Sequence, residues 1–225
     1  MLLGGAGNDQ LDGGPGSDLL DGGKGDDRFL IRNTDTTGAD TIIGGNSTDM
    51  LQFLGNFACS VTVSGAAGEG SSTSSASSAT TTFTGIEVAA TDAGNDTVNA
   101  ALAGAAMNIR TSGGDDSVIG GAFADVIDAG TGNDTVYGGA GNDIVTGAAG
   151  NDVIYGGDGN DRLNAGAGND FVDGGDGNDL LMGWEDDDTL HGGAGDDDIF
   201  GDAASGDSTL TGADVFDAGD GNDRV

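Results

Sequence analysis

The chain of 225 residues holds 47 Gly, one Pro, 39 acidic residues and only six Lys and Arg, for a formal net charge of −33. So few and scattered cations exclude nucleic-acid phosphate and anionic lipid as partners and make cations the natural ones. Gly does not recur at every third residue, which excludes collagen, and a 36% apolar content falling at regular intervals excludes a disordered acidic tail.

Residues 1–54 already carry an internal period of nine. Units open at Gly4, Gly13 and Gly22, each with Gly at places one, two and four and Asp at place six: Asp9, Asp18 and Asp27. Weaker units begin at Asp35 and Gly44, and Met1, Leu2 and Leu3 fit places seven to nine of a unit that is missing. This start has no basic segment leading into a long apolar core, so it does not read as a secretory signal peptide, and no run approaches the roughly 18 apolar residues of a membrane span.

Residues 55–90 break the period. The stretch Ser71–Thr82 is nearly all Ser, Thr and Ala and reads as a flexible linker or long loop, while 59–63 and 82–88 have β character. The two flanks fit either a hairpin inserted between two rolls or irregular coils of one continuous solenoid. Cys59, the only Cys, permits no internal disulfide and reads as a small buried apolar residue.

From residue 91 the period returns, with a unit at Thr91 and then ten consecutive units from Thr111 to Phe200. Place six is Asp in all ten, and place eight is always aliphatic, from Val118 through Ile154 and Leu163 to Ile199. A solvated acidic surface would not keep such phase. Units at Thr209 and Ala218 close the chain, and Arg224 and Val225 stop at places seven and eight, so the chain is expected to be part of a longer protein.

The pattern Gly-Gly-x-Gly-x-Asp-x-aliphatic-x resembles the nonapeptide of the RTX (repeats-in-toxin, hemolysin-type) calcium-binding proteins. The resemblance implies an all-β fold, a right-handed parallel β-roll solenoid with two nonapeptides per coil and Ca2+ bound in the turns. It implies a main roll over 91–225, an N-terminal repeat block over 1–54 and an insertion or linker over 55–90. Its calcium ligands would be Asp9, Asp18, Asp27, Asp116, Asp134, Asp143, Asp152, Asp161, Asp170, Asp179, Asp197 and Asp223. Asp125 and Asp188 fall outside that set, because Asp186 in one unit and Ala124 in the other are read in place of the expected fourth Gly, and non-Gly residues with positive φ are strained. Proteins of this kind leave the cell through a type I secretion channel, so a secreted, extracellular location is expected.

Elementary physics agrees with that geometry. Glycines at places one, two and four suit a turn that needs positive φ, and places seven to nine suit a very short strand whose middle residue faces the core. One aliphatic residue per nine supplies a thin core. Residues 18 apart, such as Asp161 and Asp179, would stand about 4.8 Å apart on adjacent strands, where two unit charges repel by roughly 3 kcal/mol at an effective dielectric of about 20. A hard divalent ion with oxygen ligands reverses that sign, and calcium suits carboxylates and turn carbonyls better than magnesium does. Transition metals have only His191 and Cys59 to bind. The ten units allow up to eight calcium positions between coils.

No His-Glu-x-x-His, Gly-x-Ser-x-Gly or Gly-x-x-x-x-Gly-Lys-Ser/Thr motif is present, and an EF-hand would need a Glu at the end of its loop where none of Glu69, Glu87 and Glu185 stands. His191, at the ninth place of a unit, reads as a surface side chain. The chain is therefore expected to be a non-catalytic calcium-binding module of an adhesin or toxin, with a module beside the catalytic domain of a secreted protease, lipase or epimerase as the alternative. Ice binding is a minor one: Asn133, Asn142, Asn151 and Asn160 align, but the Thr column it would need is missing. Tyr137 and Tyr155 should lie outward on adjacent strands, near Val153 and Phe171, as cross-strand packing or as a contact for a protein or glycan.

Overall fold

A nonapeptide with a single aliphatic side chain cannot enclose a core alone, so each unit must stack on its neighbours. The computed structural model describes residues 1–32, 40–54, 59–65, 70–74, 77–84, 86–201 and 213–225. Its strands form two sheets, one of 13 strands and one of ten. Strands Thr135–Ala140, Val153–Asp158, Phe171–Asp176 and Thr189–Ala194 lie side by side in the larger sheet. Strands Ile144–Ala149, Arg162–Ala167 and Leu180–Glu185 alternate with them along the chain and lie in the smaller one. Pairing is parallel and joins equivalent places of every second unit, as Val136 with Ile154 and Leu163 with Leu181. This is the parallel β-roll with two nonapeptides per coil. Among the described residues there is no helix, and so none long and apolar enough to cross a membrane.

The place-eight side chains project inward from both sheets. Val118, Ile127, Val136, Val145, Ile154, Leu163, Val172, Leu181, Leu190 and Ile199 are each at most 1% exposed. Phe29, Leu20, Ile42, Leu51 and Phe53 continue the core through the N-terminal units with larger side chains. A fully buried aliphatic residue contributes roughly 1.5–3 kcal/mol, and here that is repeated once per unit, alternately from the two sheets.

Two local expectations change. The strands over 126–194 run for six residues rather than three, because the in-and-out alternation continues through places one to three of the next unit: Val136 and Gly138 are both buried, and Tyr137 between them is exposed. Positive φ belongs to places two and four, as at Gly157 (112°) and Gly159 (143°), and not to place one. Where glycine stands at place one it yields space, although Ala129 and Ala165 hold that place in two units. A Cβ on Gly138 would lie 2.6 Å from Asp143 Oδ2, closer than any real contact.

In the middle of the chain, Cys59–Gly65, Gly70–Ser74 and Ser77–Thr84 form an antiparallel run inside the larger sheet, joined in parallel to Thr41–Asn46 on one side and to Thr97–Ala103 on the other. The Ser/Thr-rich stretch thus lies mostly in strands, which its Thr content favours. The smaller sheet passes directly from Met50–Leu54 to Val88–Ala90 to Asn108–Arg110. The side chain of Cys59, residues 35–39 of the unit at Asp35 and residues 209–212 of the unit at Thr209 lie outside the described residues.

Successive coils meet closely at place two. The Gly139 carbonyl oxygen occupies the space that a Cβ on Gly157 would need, whereas a Cβ on Gly5, with φ of 102°, would meet nothing within 4 Å. Gly5→Ala should cost about 1–2 kcal/mol for its φ alone. Gly157→Ala should lose a further 1–3 kcal/mol, roughly, to the overlap. Urea midpoints in saturating calcium measure the difference.

Candidate metal centre

Each place-six carboxylate is divided between two tasks. Its Oδ1 accepts a hydrogen bond from the backbone N–H of the equivalent residue one coil earlier: Asp143 N–H to Asp161 (2.8 Å), Asp161 to Asp179 (2.8 Å) and Asp179 to Asp197 (2.8 Å). On the other edge of the roll Asp116 donates to Asp134 (2.8 Å), Asp134 to Asp152 (2.9 Å) and Asp152 to Asp170 (2.7 Å). In the units that open with glycine its Oδ2 turns in beneath that residue, as Asp143 Oδ2 does beneath Gly138. Oδ2 is sealed from solvent and has no hydrogen-bond partner in Asp9, Asp27, Asp49, Asp125, Asp134, Asp143, Asp152, Asp161, Asp170, Asp179 and Asp197.

Of the residues expected from the sequence, Asp27, Asp116, Asp134, Asp143, Asp152, Asp161, Asp170, Asp179 and Asp197 are at most 3% exposed. Asp9, Asp18 and Asp223, nearer the two ends, are half-buried. The first and last of these three keep the ladder: Asp9 N–H donates to Asp27, and Asp223 accepts from Asp197 (3.1 Å). Asp18 N–H donates to Asp40 (2.9 Å).

The columns also hold residues that sequence reasoning left out. Asp125 and Asp188 are 1% exposed and accept from the backbone N–H groups of Met107 (2.6 Å) and Asp170 (3.0 Å). Asp186 adopts the positive φ of the missing glycine, at 78°. In the unit at Gly120, Phe123 holds the fourth place, without positive φ, and Asp125 still reaches its position. Asp40, Asp49, Asp96 and Asp214 are place-six residues of the weaker units. Glu87 accepts from Asp49 N–H (2.9 Å) and so stands in for an Asp, while Met107 leaves a gap. All but Asp214 stand two residues before a core side chain such as Leu51, Ala89 or Ile109, and that offset is the signal that finds them.

A second ladder was also missed. At place five the Asn Oδ1 accepts from the N–H one coil later: Asn151 N–H to Asn133 (2.8 Å), Asn169 to Asn151 (2.8 Å) and Asn178 to Asn160 (2.7 Å). The aligned Asn residues therefore bind backbone.

Burial strips water from the inner carboxylates and raises their pKa well above 3.8. Asp116, Asp143 and Asp170 reach about 7, and Asp49, Asp125, Asp152 and Asp179 about 6. Asp134, Asp161 and Asp197 rise for the same reason. The ladder hydrogen bond pulls the other way, and neighbouring carboxylates such as Asp161 beside Asp143 push further up. A dehydrated anionic oxygen without a donor is what a hard cation satisfies. Among the described residues no three carboxylate, imidazole or thiol side chains converge on one point. Each turn offers one carboxylate, and main-chain carbonyls of the turns would complete the shell.

The model of the RTX calcium-binding nonapeptide repeat matches residues 1–29, 34–52, 110–145, 137–172, 146–181, 173–206 and 208–225. The chain belongs to that family. No curated protein matches this RTX chain. Among solved structures, the extracellular lipase LipA from Serratia marcescens is similar at 22% identity and a TM-score of 0.33, over 89% of this chain and 32% of the lipase.

The two carboxylate oxygens can be separated by substitution. Asn at position 161 keeps the acceptor for Asp143 N–H and removes the charge, whereas Ala removes both. Asp161→Asn and Asp161→Ala should each lower the calcium stoichiometry measured by calorimetry, and the Ala variant should be the less stable in urea by about 1–3 kcal/mol.

Acid should partly replace calcium. A carboxyl whose pKa is raised on folding favours the folded state at low pH, and that contribution is lost as pH rises through about 6 to 7. In excess chelator, acidification from pH 8 to pH 5 should increase the β signal in circular dichroism. That range stays above the isoelectric point near 4.1.

Proposed function

We propose that this RTX chain is the calcium-dependent folding and display module of a secreted protein of the adhesin or toxin type, with calcium held at the place-six aspartates of 1–54 and 91–225 and an insertion at 55–90. The column of sealed, unpartnered Asp Oδ2 atoms carries the reading. Bound calcium supplies the positive charge that offsets this column. Asp Oδ1 atoms set the register between coils, and the place-four glycines bring successive turns close enough for their carbonyls to share a ligand sphere.

With calcium scarce, as at micromolar or lower concentration inside a cell, ionised carboxylates must be dehydrated without compensation if the roll is to close, so the chain stays extended and fit for a narrow export channel. At about millimolar calcium outside, binding and folding become one event. His191, the only imidazole, packs edge-on against Phe171, with ring centroids 5.1 Å apart, which suits a structural role. Tyr137 and Tyr155 stack at 4.9 Å with rings 5° from parallel, and this strip on the larger sheet is the proposed contact for another domain or a glycan.

A calcium titration followed by circular dichroism at pH 7.5 tests the reading. The β signal should rise cooperatively with calcium and fall on chelation. A full β signal in excess chelator at that pH would overturn it.

A further inference from the structure

Two lines of place-six side chains run along the roll, one at each edge, and both lose their carboxylates in the same stretch. At the edge that leads into the smaller sheet, Met107 stands one coil after Glu87 and one coil before Asp125. Its side chain is 3% exposed and belongs to the apolar core. The backbone registers the loss: Glu87 N–H, with no carboxylate in the next coil to reach, bonds instead to the carbonyl oxygen of Asp49 (3.1 Å). At the other edge, the three strands of the insertion stand between Thr41–Asn46 and Thr97–Ala103. The residues that take the places of Asp40 and Asp96 in its two outer strands are Thr81 and Cys59.

Uncharged groups close these coils. Val88, Ala89, Ala90, Val98, Ala100 and Ala103 are buried along with Met107, whereas the regular coil 135–152 buries only Val136 and Val145 among its apolar side chains. The Thr91 hydroxyl donates to the Thr111 carbonyl oxygen (3.3 Å), and the Ser112 hydroxyl donates back to that of Thr91 (3.0 Å), so neutral bonds tie one coil to the next.

An ion that bridges two coils needs an oxygen from each. Adjacent strands are about 4.8 Å apart, within the roughly 5 Å that separates opposite oxygens of a calcium shell. Glu87 and Asp125, with Met107 between them, are two such spacings apart, about 10 Å, and are out of reach of one ion. In a solenoid, coupling passes only between neighbouring coils. We infer that the roll binds calcium in two separate arrays, one over the coils of 1–54 with Glu87 and one from Asp96 and Asp125 onward, joined by a stretch that closes through apolar burial. The partition rests on the calcium reading above and adds that ions in one array leave the affinity of the other unchanged.

Hydrogen exchange read by mass spectrometry on the full chain follows the protection of each region through a calcium titration at pH 7.5, while the fluorescence of Trp184, the only Trp, reports on the second array. Asp27→Asn should raise the calcium midpoint for peptides of 1–54 by about threefold or more and leave the midpoints for 117–200 and for Trp184 within about 1.5-fold; Asp161→Asn should do the reverse. Met107→Asp returns a carboxylate to the gap, so calorimetry should count at least one more calcium, and Asp27→Asn in that background should shift both regions. Parallel shifts of both regions in Asp27→Asn and in Asp161→Asn would overturn the partition, and these two variants decide it even where Met107→Asp does not fold. An unchanged calcium count in a folded Met107→Asp would overturn the assignment of the gap. Protection that does not depend on calcium anywhere in the chain would instead overturn the folding module, and would be seen before any substitution is made.

Discussion

In turn after turn of this roll, a carboxylate oxygen is enclosed with nothing to bond. The sister oxygen of the same side chain is committed to the backbone of the neighbouring coil, so the carboxylate cannot rotate out to water without releasing the register. Stacking and charge are thereby coupled through one residue: whatever aligns the coils also concentrates dehydrated anions along the edges. The short arm of Asp suits both tasks, since it reaches the adjacent N–H while its second oxygen stays under the glycine of place one. Glu87, the one longer carboxylate in a column, serves where its partner Asp49 lies 38 residues away along the chain.

Much of this was legible in the sequence because two columns each have one invariant job. Place eight fills the core in every coil and place six closes every turn, so both repeat without exception from Thr111 to Phe200. The place-five ladder was hidden because its partner is backbone, which leaves no second residue to co-align, and because Asn and Asp serve equally well as acceptors there. Glu87 was hidden because 38 residues separate it from Asp49, which is out of ninefold phase, and Met107, nine residues before Asp116 and so in phase, was hidden because it is not a carboxylate. Place one was assigned to the wrong constraint: glycine there yields room to a carboxylate, a tertiary contact that a list of turn preferences does not contain.

The middle segment shows the complementary limit. A run of Ser and Thr is ambiguous between a linker and a strand, since either state satisfies its polar side chains, and only the pairing of 77–84 with 41–46 decides the matter. Outward-facing places were easier to anticipate. Period-two alternation puts Tyr137 and Tyr155 on one side, and the strand register brings their rings together with Phe171 and His191 in a continuous row.

Coil length is not uniform, although the ladder is. Equivalent aspartates are joined across 18 residues in the regular region, across 20 from Asp96 to Asp116, 22 from Asp27 to Asp49 and 26 from Asp188 to Asp214, with the same backbone-to-carboxylate bond each time. The rungs therefore measure equivalence by contact and not by distance along the chain. A gene encoding such a roll can gain or lose segments between rungs, and graft new loops there, without disturbing the coils on either side.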